Sequence, residues 1–136
     1  GEGGLEEDAL FVILGDLNSD PEDGGSRSEG IRALLEHPRV QDTKPASAGG
    51  SEAAVSDGGA NAAHSGDASL DTADFSDRSV GNLRVDYALP SKTLRVVNSG
   101  VFWPAEGEPH ASLAGVSDHH LVWVEVEVEV EAGATP

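Results

Sequence analysis

Apolar and polar positions follow three different patterns along this chain, and each predicts a different element. Ala9-Leu10-Phe11-Val12-Ile13-Leu14 is an unbroken apolar run, short, partly β-branched and closed by Gly15. Its length and composition predict a strand buried on both faces. Ser19 to Gly25 is a loop by its turn chemistry. From about Ser28 to His37 the residues Ile31, Leu34 and Leu35 recur at helical spacing, and Pro38 closes that helix. Asn82 to Leu89 alternates as a strand, Pro90-Ser91 turns it into a second strand from Thr93 through Val97 towards Val101, and Phe102-Trp103-Pro104 ends the hairpin. From Val122 every even position through Val130 is Val, while the odd positions run Leu121, Trp123, Glu125, Glu127, Glu129, Glu131. One face of this last strand is apolar throughout and the other only at its start, so it is expected to begin in the interior and end in water.

Residues 44–80 follow none of these patterns. They are rich in Gly, Ala, Ser and Asp, hold hardly any large apolar side chain, and read as one long acidic loop, functional or mobile, with little structure of its own. The 136 residues suit one domain, and 38% hydrophobic content suffices for a core. With 25 acidic residues against 8 basic ones, the formal charge of −17 disfavours the backbone electrostatics that most nucleic-acid binders use. Such a surface suits salt adaptation or metal binding. Cys is absent, which rules out disulfides and thiolate metal sites and leaves the redox compartment open. The opening Gly1-Glu2-Gly3-Gly4, without Met, reads as a processed or excised domain. No apolar run approaches the ~20 residues that cross a bilayer.

Three short segments carry candidate chemistry. Gly15-Asp16-Leu17-Asn18 lies where a strand emerges into a loop and offers a carboxylate and an amide; the competing reading is a turn, which Asp and Asn also favour. Ser117-Asp118-His119 precedes the last strand, and His is suited to proton chemistry near neutral pH. Arg84-Val85-Asp86-Tyr87 sets an acid in an otherwise apolar strand, which is costly unless the acid is paired; a histidine is the natural partner.

In this order the three segments resemble the endonuclease/exonuclease/phosphatase superfamily, the fold of deoxyribonuclease I. The family's Gly-Asp-Phe/Leu-Asn motif matches residues 15–18, its Arg-Ile/Val-Asp-Tyr strand matches 84–87, and its closing Ser-Asp-His matches 117–119. The resemblance runs from residue 9 to about 126. It implies an α/β (α+β) fold with mostly antiparallel strands, the carboxy-terminal half of a four-layer, two-sheet sandwich. It also implies roles: Asp16 orienting the attacking water, Asn18 holding a phosphate oxygen, and His119 on the scissile phosphate with Asp86 fixing its imidazole. Asp118, with Asp16, would face a divalent metal, Mg²⁺ or Mn²⁺, with Ca²⁺ as a further candidate. His120 has no matching role and should point away from His119, as a structural or exposed residue. Trp103 reads as a packing residue.

The chain departs from the family pattern in one respect. Nothing before Asp16 matches the metal-binding Glu, the Asn and the further His of the family's first half, so the resemblance covers the second half only. The all-Val face of the last strand is then expected to be an exposed apolar sheet face, completed by the missing half or by self-association, and the isolated chain is expected to be inactive or nearly so. A small phosphoester or a lipid head group is favoured over a polynucleotide, without membrane insertion. The alternative is a non-catalytic acidic domain that binds calcium or a protein through residues 44–80. Asp57, Asp67, Asp71, Asp74 and Asp77 lack the spacing of a calcium-binding loop and read as solvated. His64 to Asp67 and Asp71 to Phe75 lie where relatives place substrate-facing loops.

Overall fold

The computed structural model describes residues 3–25 and 27–128. Strand β1 (Val12–Asp16) pairs antiparallel with β4 (Asp86–Pro90), placing Leu14 opposite Ala88 and Asp16 opposite Asp86. β2 (Ala73–Asp74) pairs with β3 (Asn82–Leu83), and β5 (Arg95–Phe102) with β6 (Leu121–Glu127), again antiparallel. With helices α1 (Glu29–Leu35) and α2 (Ala48–Asp57), these make the mixed α/β architecture with antiparallel strands that the sequence led us to expect. No helix among the described residues is long and apolar enough to cross a membrane.

One core cluster joins β1 and β4 to α1: Ile31, Val40, Tyr87 and Leu89 are buried, with Phe11, Ile13, Leu34 and Leu35 packed against them. Each such side chain contributes about 1.5–3 kcal/mol by leaving water. Only one side of β1 takes part. Leu10, Val12 and Leu14 are 54%, 36% and 67% exposed, so the run expected to be buried on both faces is buried on one. A second cluster gathers Ala73, Leu83 and Val85, with Phe75 and Val80 against them.

The two clusters are linked by buried polar groups with specific partners, although Arg84 Nε is buried without one. The Asp20 carboxylate accepts backbone N–H groups from Glu22 and Asp23 on one oxygen and from Arg84 on the other. The buried Arg84 guanidinium forks onto Asp42 at 2.9 and 2.6 Å and lies 4.8 Å over the Tyr87 ring. Burial opposes ionisation of Asp42, but the Arg84 hydrogen bond and charge outweigh it and hold the carboxyl below its usual range. The Tyr87 hydroxyl lies 2.8 Å from the carbonyl oxygens of both Ser19 and Arg84, fixing the loop after β1 to β4.

Three further expectations need correction. Residues 44–80 are not a loop with little structure: they form α2, 3₁₀ turns at Gly59–Ala63 and Ala68–Leu70, and β2. Ser47 caps α2 by accepting the Gly50 N–H, and Gly49 and Gly50 are buried. The helix packs by backbone approach, the Gly49 N–H bonding the Trp103 carbonyl at 2.9 Å, so it needs no large apolar residues. Secondly, the turn after Pro90 exists, but it does not close a hairpin. β4 pairs with β1, and Gln41 N–H and Lys92 N–H bond across to Pro90 and Arg39 carbonyls, while β5 leaves for β6. Thirdly, β6 does not begin in the interior. Leu121 and Trp123 are 67% and 38% exposed, whereas Val122, Val124 and Val126 are half-buried, so the Val side is the covered one. Glu129, Val130 and Glu131 lie outside the described residues.

Two predictions follow from this packing. A Cβ on Gly49 would stand 2.3 Å from the Trp103 carbonyl oxygen and 2.6 Å from Trp103 Cδ1. Gly49→Ala should therefore lower stability by about 1–3 kcal/mol in urea unfolding; an unchanged midpoint would show that α2 does not rest on Trp103. Asp71 is 7% exposed, and burial first, then the charges of Asp20, Asp23 and Asp67, push its carboxyl from 3.8 up to about 7. Folding thus favours the protonated acid: the stability is fully present below 3.8 and is lost as pH rises through 7. Asp71→Asn should match the parent at pH 3.5 and exceed it by on the order of 2 kcal/mol at pH 8, read from paired denaturation curves.

Candidate active site

The segment Gly15-Asp16-Leu17-Asn18 is shaped by its backbone. Gly15 has φ +146° and Asn18 has φ +48°, the first a conformation that side chains disfavour and the second one that Asn tolerates. Between them the Asp16 carboxylate accepts the Asn18 N–H at 2.7 Å, closing a turn that fixes its direction, and the Leu17 N–H bonds the Val85 carbonyl. The turn reading and the functional reading of this motif are compatible, because the turn aims the acid.

Asp16 faces Asp86 through the β1–β4 register, and His119 arrives from a third direction. Residues 118–120 run beside β2: Ala73 bridges His119, the Asp74 N–H bonds the Asp118 carbonyl, and the His120 N–H bonds the Thr72 carbonyl. This places His119 Nδ1 2.9 Å from Asp86 Oδ2. One ligand-capable atom from each of Asp16, Asp86 and His119 lies within 4.8 Å of the others. They open on a groove of about 530 Å³ whose walls include Leu14 and Leu121.

The hydrogen bond to the Asp86 carboxylate is the largest influence on His119 and raises its pKa; burial opposes this, and the charges of Asp86, Asp16 and Asp118 add to the rise. The imidazole therefore holds its positive charge to higher pH than an ordinary histidine. Phe75 meets the ring edge-on with centroids 5.5 Å apart, and Ser117 Oγ accepts the His119 N–H. His120 points the other way: it is 7% exposed, stacks on Trp103 at 3.7 Å, and is pushed down to about 4 by burial and then by His119. Trp103, itself 6% exposed, is a packing residue.

Of the residues singled out in the sequence, Asp16, Asp86 and His119 are brought together. Asn18 follows Asp16 on the exposed turn. The Asp118 carboxylate is not part of that three-residue group; Asp118 acts on His119 through its charge and on β2 through its backbone. Sequence reasoning placed Thr72 in a segment expected to face substrate, Asp71 to Phe75, and missed its link to the site: it is buried, and its hydroxyl meets Asp86 Oδ2 at 3.0 Å. A second acidic group, Asp57, Asp74 and Asp77, has its carboxylates within 4.8 Å of one another beside Asn61, which bonds Asp77. Burial, then Asp57, Asp77 and Asp118, raise the Asp74 carboxyl.

No curated protein and no solved structure matches the chain. The model of the endonuclease/exonuclease/phosphatase family matches residues 1–119, a span that holds all three motifs and the whole Asp16–Asp86–His119 group. Both geometry and match lead to one assignment: the chain belongs to the endonuclease/exonuclease/phosphatase family, whose common activity is metal-dependent phosphoester hydrolysis.

Proposed function

We propose that this chain carries part of a divalent-metal-dependent phosphoester-hydrolysing centre, and the observation that supports it most is the convergence of Asp16, Asp86 and His119 at one groove. Asp16, held by the Asn18 N–H through one oxygen, orients and deprotonates the attacking water with the other. Asn18 holds a phosphate oxygen. His119, with Nδ1 engaged by Asp86, presents Nε2 to the scissile phosphate and stabilises the charge that builds on it.

The donor set fits a hard cation. Two carboxylates and an imidazole within 4.8 Å, with no thiolate in the chain, suit Mg²⁺ or Mn²⁺ better than a soft metal. Asp16 would hold the ion from this group, and Asp118, whose carboxylate lies outside the group on the adjoining segment, would be the second ligand. The ion would supply Lewis acidity to a phosphoryl oxygen.

The exposed apolar side of β1, with Leu10, Val12 and Leu14, adjoins this groove and gives a reason to place a further polypeptide segment there, the first half of the sandwich or a second copy. That segment would bring the remaining metal ligand, so the chain alone would turn over little substrate. The charge of −17 and the apolar groove walls favour a small phosphoester or a lipid head group over a polynucleotide.

The test is hydrolysis of bis(p-nitrophenyl) phosphate, a lysophospholipid and plasmid DNA by the completed protein, with Mg²⁺, Mn²⁺ or EDTA. We expect activity with either metal, none with EDTA, and the slowest turnover on DNA. His119→Ala and Asp16→Ala should each reduce kcat by ~10²-fold or more. Full activity in both variants would sink the assignment; equal rates of the isolated chain and the completed protein would sink the need for a second segment.

A further inference from the structure

Thr72 is fully buried, and its hydroxyl has no spare capacity. The oxygen accepts two backbone N–H groups, from Val85 at 3.0 Å and from Asp86 at 2.9 Å. A hydroxyl has two lone pairs and one hydrogen, so with both lone pairs taken the hydrogen must be donated. The acceptor it reaches is Asp86 Oδ2 at 3.0 Å, the same oxygen that lies 2.9 Å from His119 Nδ1. An oxygen receiving the Thr72 hydrogen and facing His119 Nδ1 is held as an acceptor, which requires the hydrogen of that second contact to sit on the imidazole. The backbone of Thr72 completes the arrangement, its N–H bonding the Leu83 carbonyl and its carbonyl accepting the His120 N–H. The segments that carry Asp86 and His119 are thus joined at Thr72.

We propose that Thr72 is a positioning residue for the phosphoester site: through Asp86 it keeps a hydrogen on His119 Nδ1 in the neutral ring, so that the proton the imidazole gains on becoming a cation sits on Nε2 and faces the phosphate. Thr72 touches neither substrate nor metal; its action passes through the Asp86 carboxylate. The hydroxyl does for Asp86 what Asp86 does for His119. This rests on the hydrolase reading for its importance to turnover, but the tautomer and the hydroxyl bond are properties of the protein without substrate.

The experiment has two arms. In wild-type protein, ¹H–¹⁵N correlation spectra of the imidazole, recorded where His119 is neutral, should show Nδ1 protonated, and the Thr72 hydroxyl proton should be observable because exchange is slow. Hydrogen on Nε2, or no slowly exchanging hydroxyl, overturns the proposal without any variant. Thr72→Val keeps the shape and removes the hydroxyl; Thr72→Ser keeps the hydroxyl. In the completed protein the Val variant should lose about 10–100-fold in kcat with KM within about threefold, the Ser variant should recover to within about threefold of wild type, and Thr72→Val should cost nothing more in an Asp86→Asn background. Unchanged kcat in the Val variant, failure of Ser to recover, or additive losses with Asp86→Asn would each overturn it. If wild type hydrolyses no phosphoester under any metal, the hydrolase assignment fails, and the first arm still decides the role of Thr72.

Discussion

The groove depends on a single carboxylate, that of Asp86, set at the start of a strand whose next four residues are buried. An anion in such a place is tolerable only if donors surround it. Two side chains supply them, Thr72 and His119, and neither is near Asp86 in sequence. Bringing them there requires β2 to lie between β3 and residues 118–120, joined to both by backbone bonds. It also leaves the first residue of β4 opposite the last residue of β1, which is Asp16. Much of the path of the chain around the site can be read as the means of satisfying that one acid.

This explains which parts were legible in the sequence. Asp86 stood out because an acid breaks the pattern of an apolar strand, and that violation pointed to a partner histidine. Gly15 and Asn18 announced their turn because the backbone conformations there suit few other residues. Helix α1 was legible from Ile31, Leu34 and Leu35 because it packs by side chains. Helix α2 was not, because its contact surface is Gly49 and Gly50 against Trp103, and a glycine surface leaves no hydrophobic period to read. Thr72 was hidden for a different reason: a threonine becomes informative only when its three hydrogen-bond partners are known.

The strand errors share a physical cause. A run such as Leu10 to Leu14 records that both sides are apolar, and does not record what covers them. Here α1 covers the Phe11 and Ile13 side, and the Leu10, Val12 and Leu14 side meets solvent. In β6 the same ambiguity ran the other way. Its Val side is half-buried, and Leu121, which lines the groove, and Trp123 are the exposed ones. Leu14 and Leu121, both exposed, thus set apolar surface in the same groove as Asp16 and His119.

The surplus negative charge acts on Asp71, Asp74 and His119 in one direction, towards binding a proton or another cation. Asp71 and Asp74 are both raised by neighbouring acids in addition to burial, and His119 is raised by Asp86, Asp16 and Asp118. For the buried acids this field is a cost, since it adds to desolvation. For His119 it works the other way, since it favours a cation at the groove, as the proposed phosphate contact would need. A polyanion approaching the same groove would meet the field as repulsion along its whole length, whereas a single phosphoester presents its charge only where His119 and a metal could neutralise it. The acidity of the chain and the divalent metal of its family fit one electrostatic arrangement: a site lined by carboxylates repels a phosphate unless a cation offsets their charge.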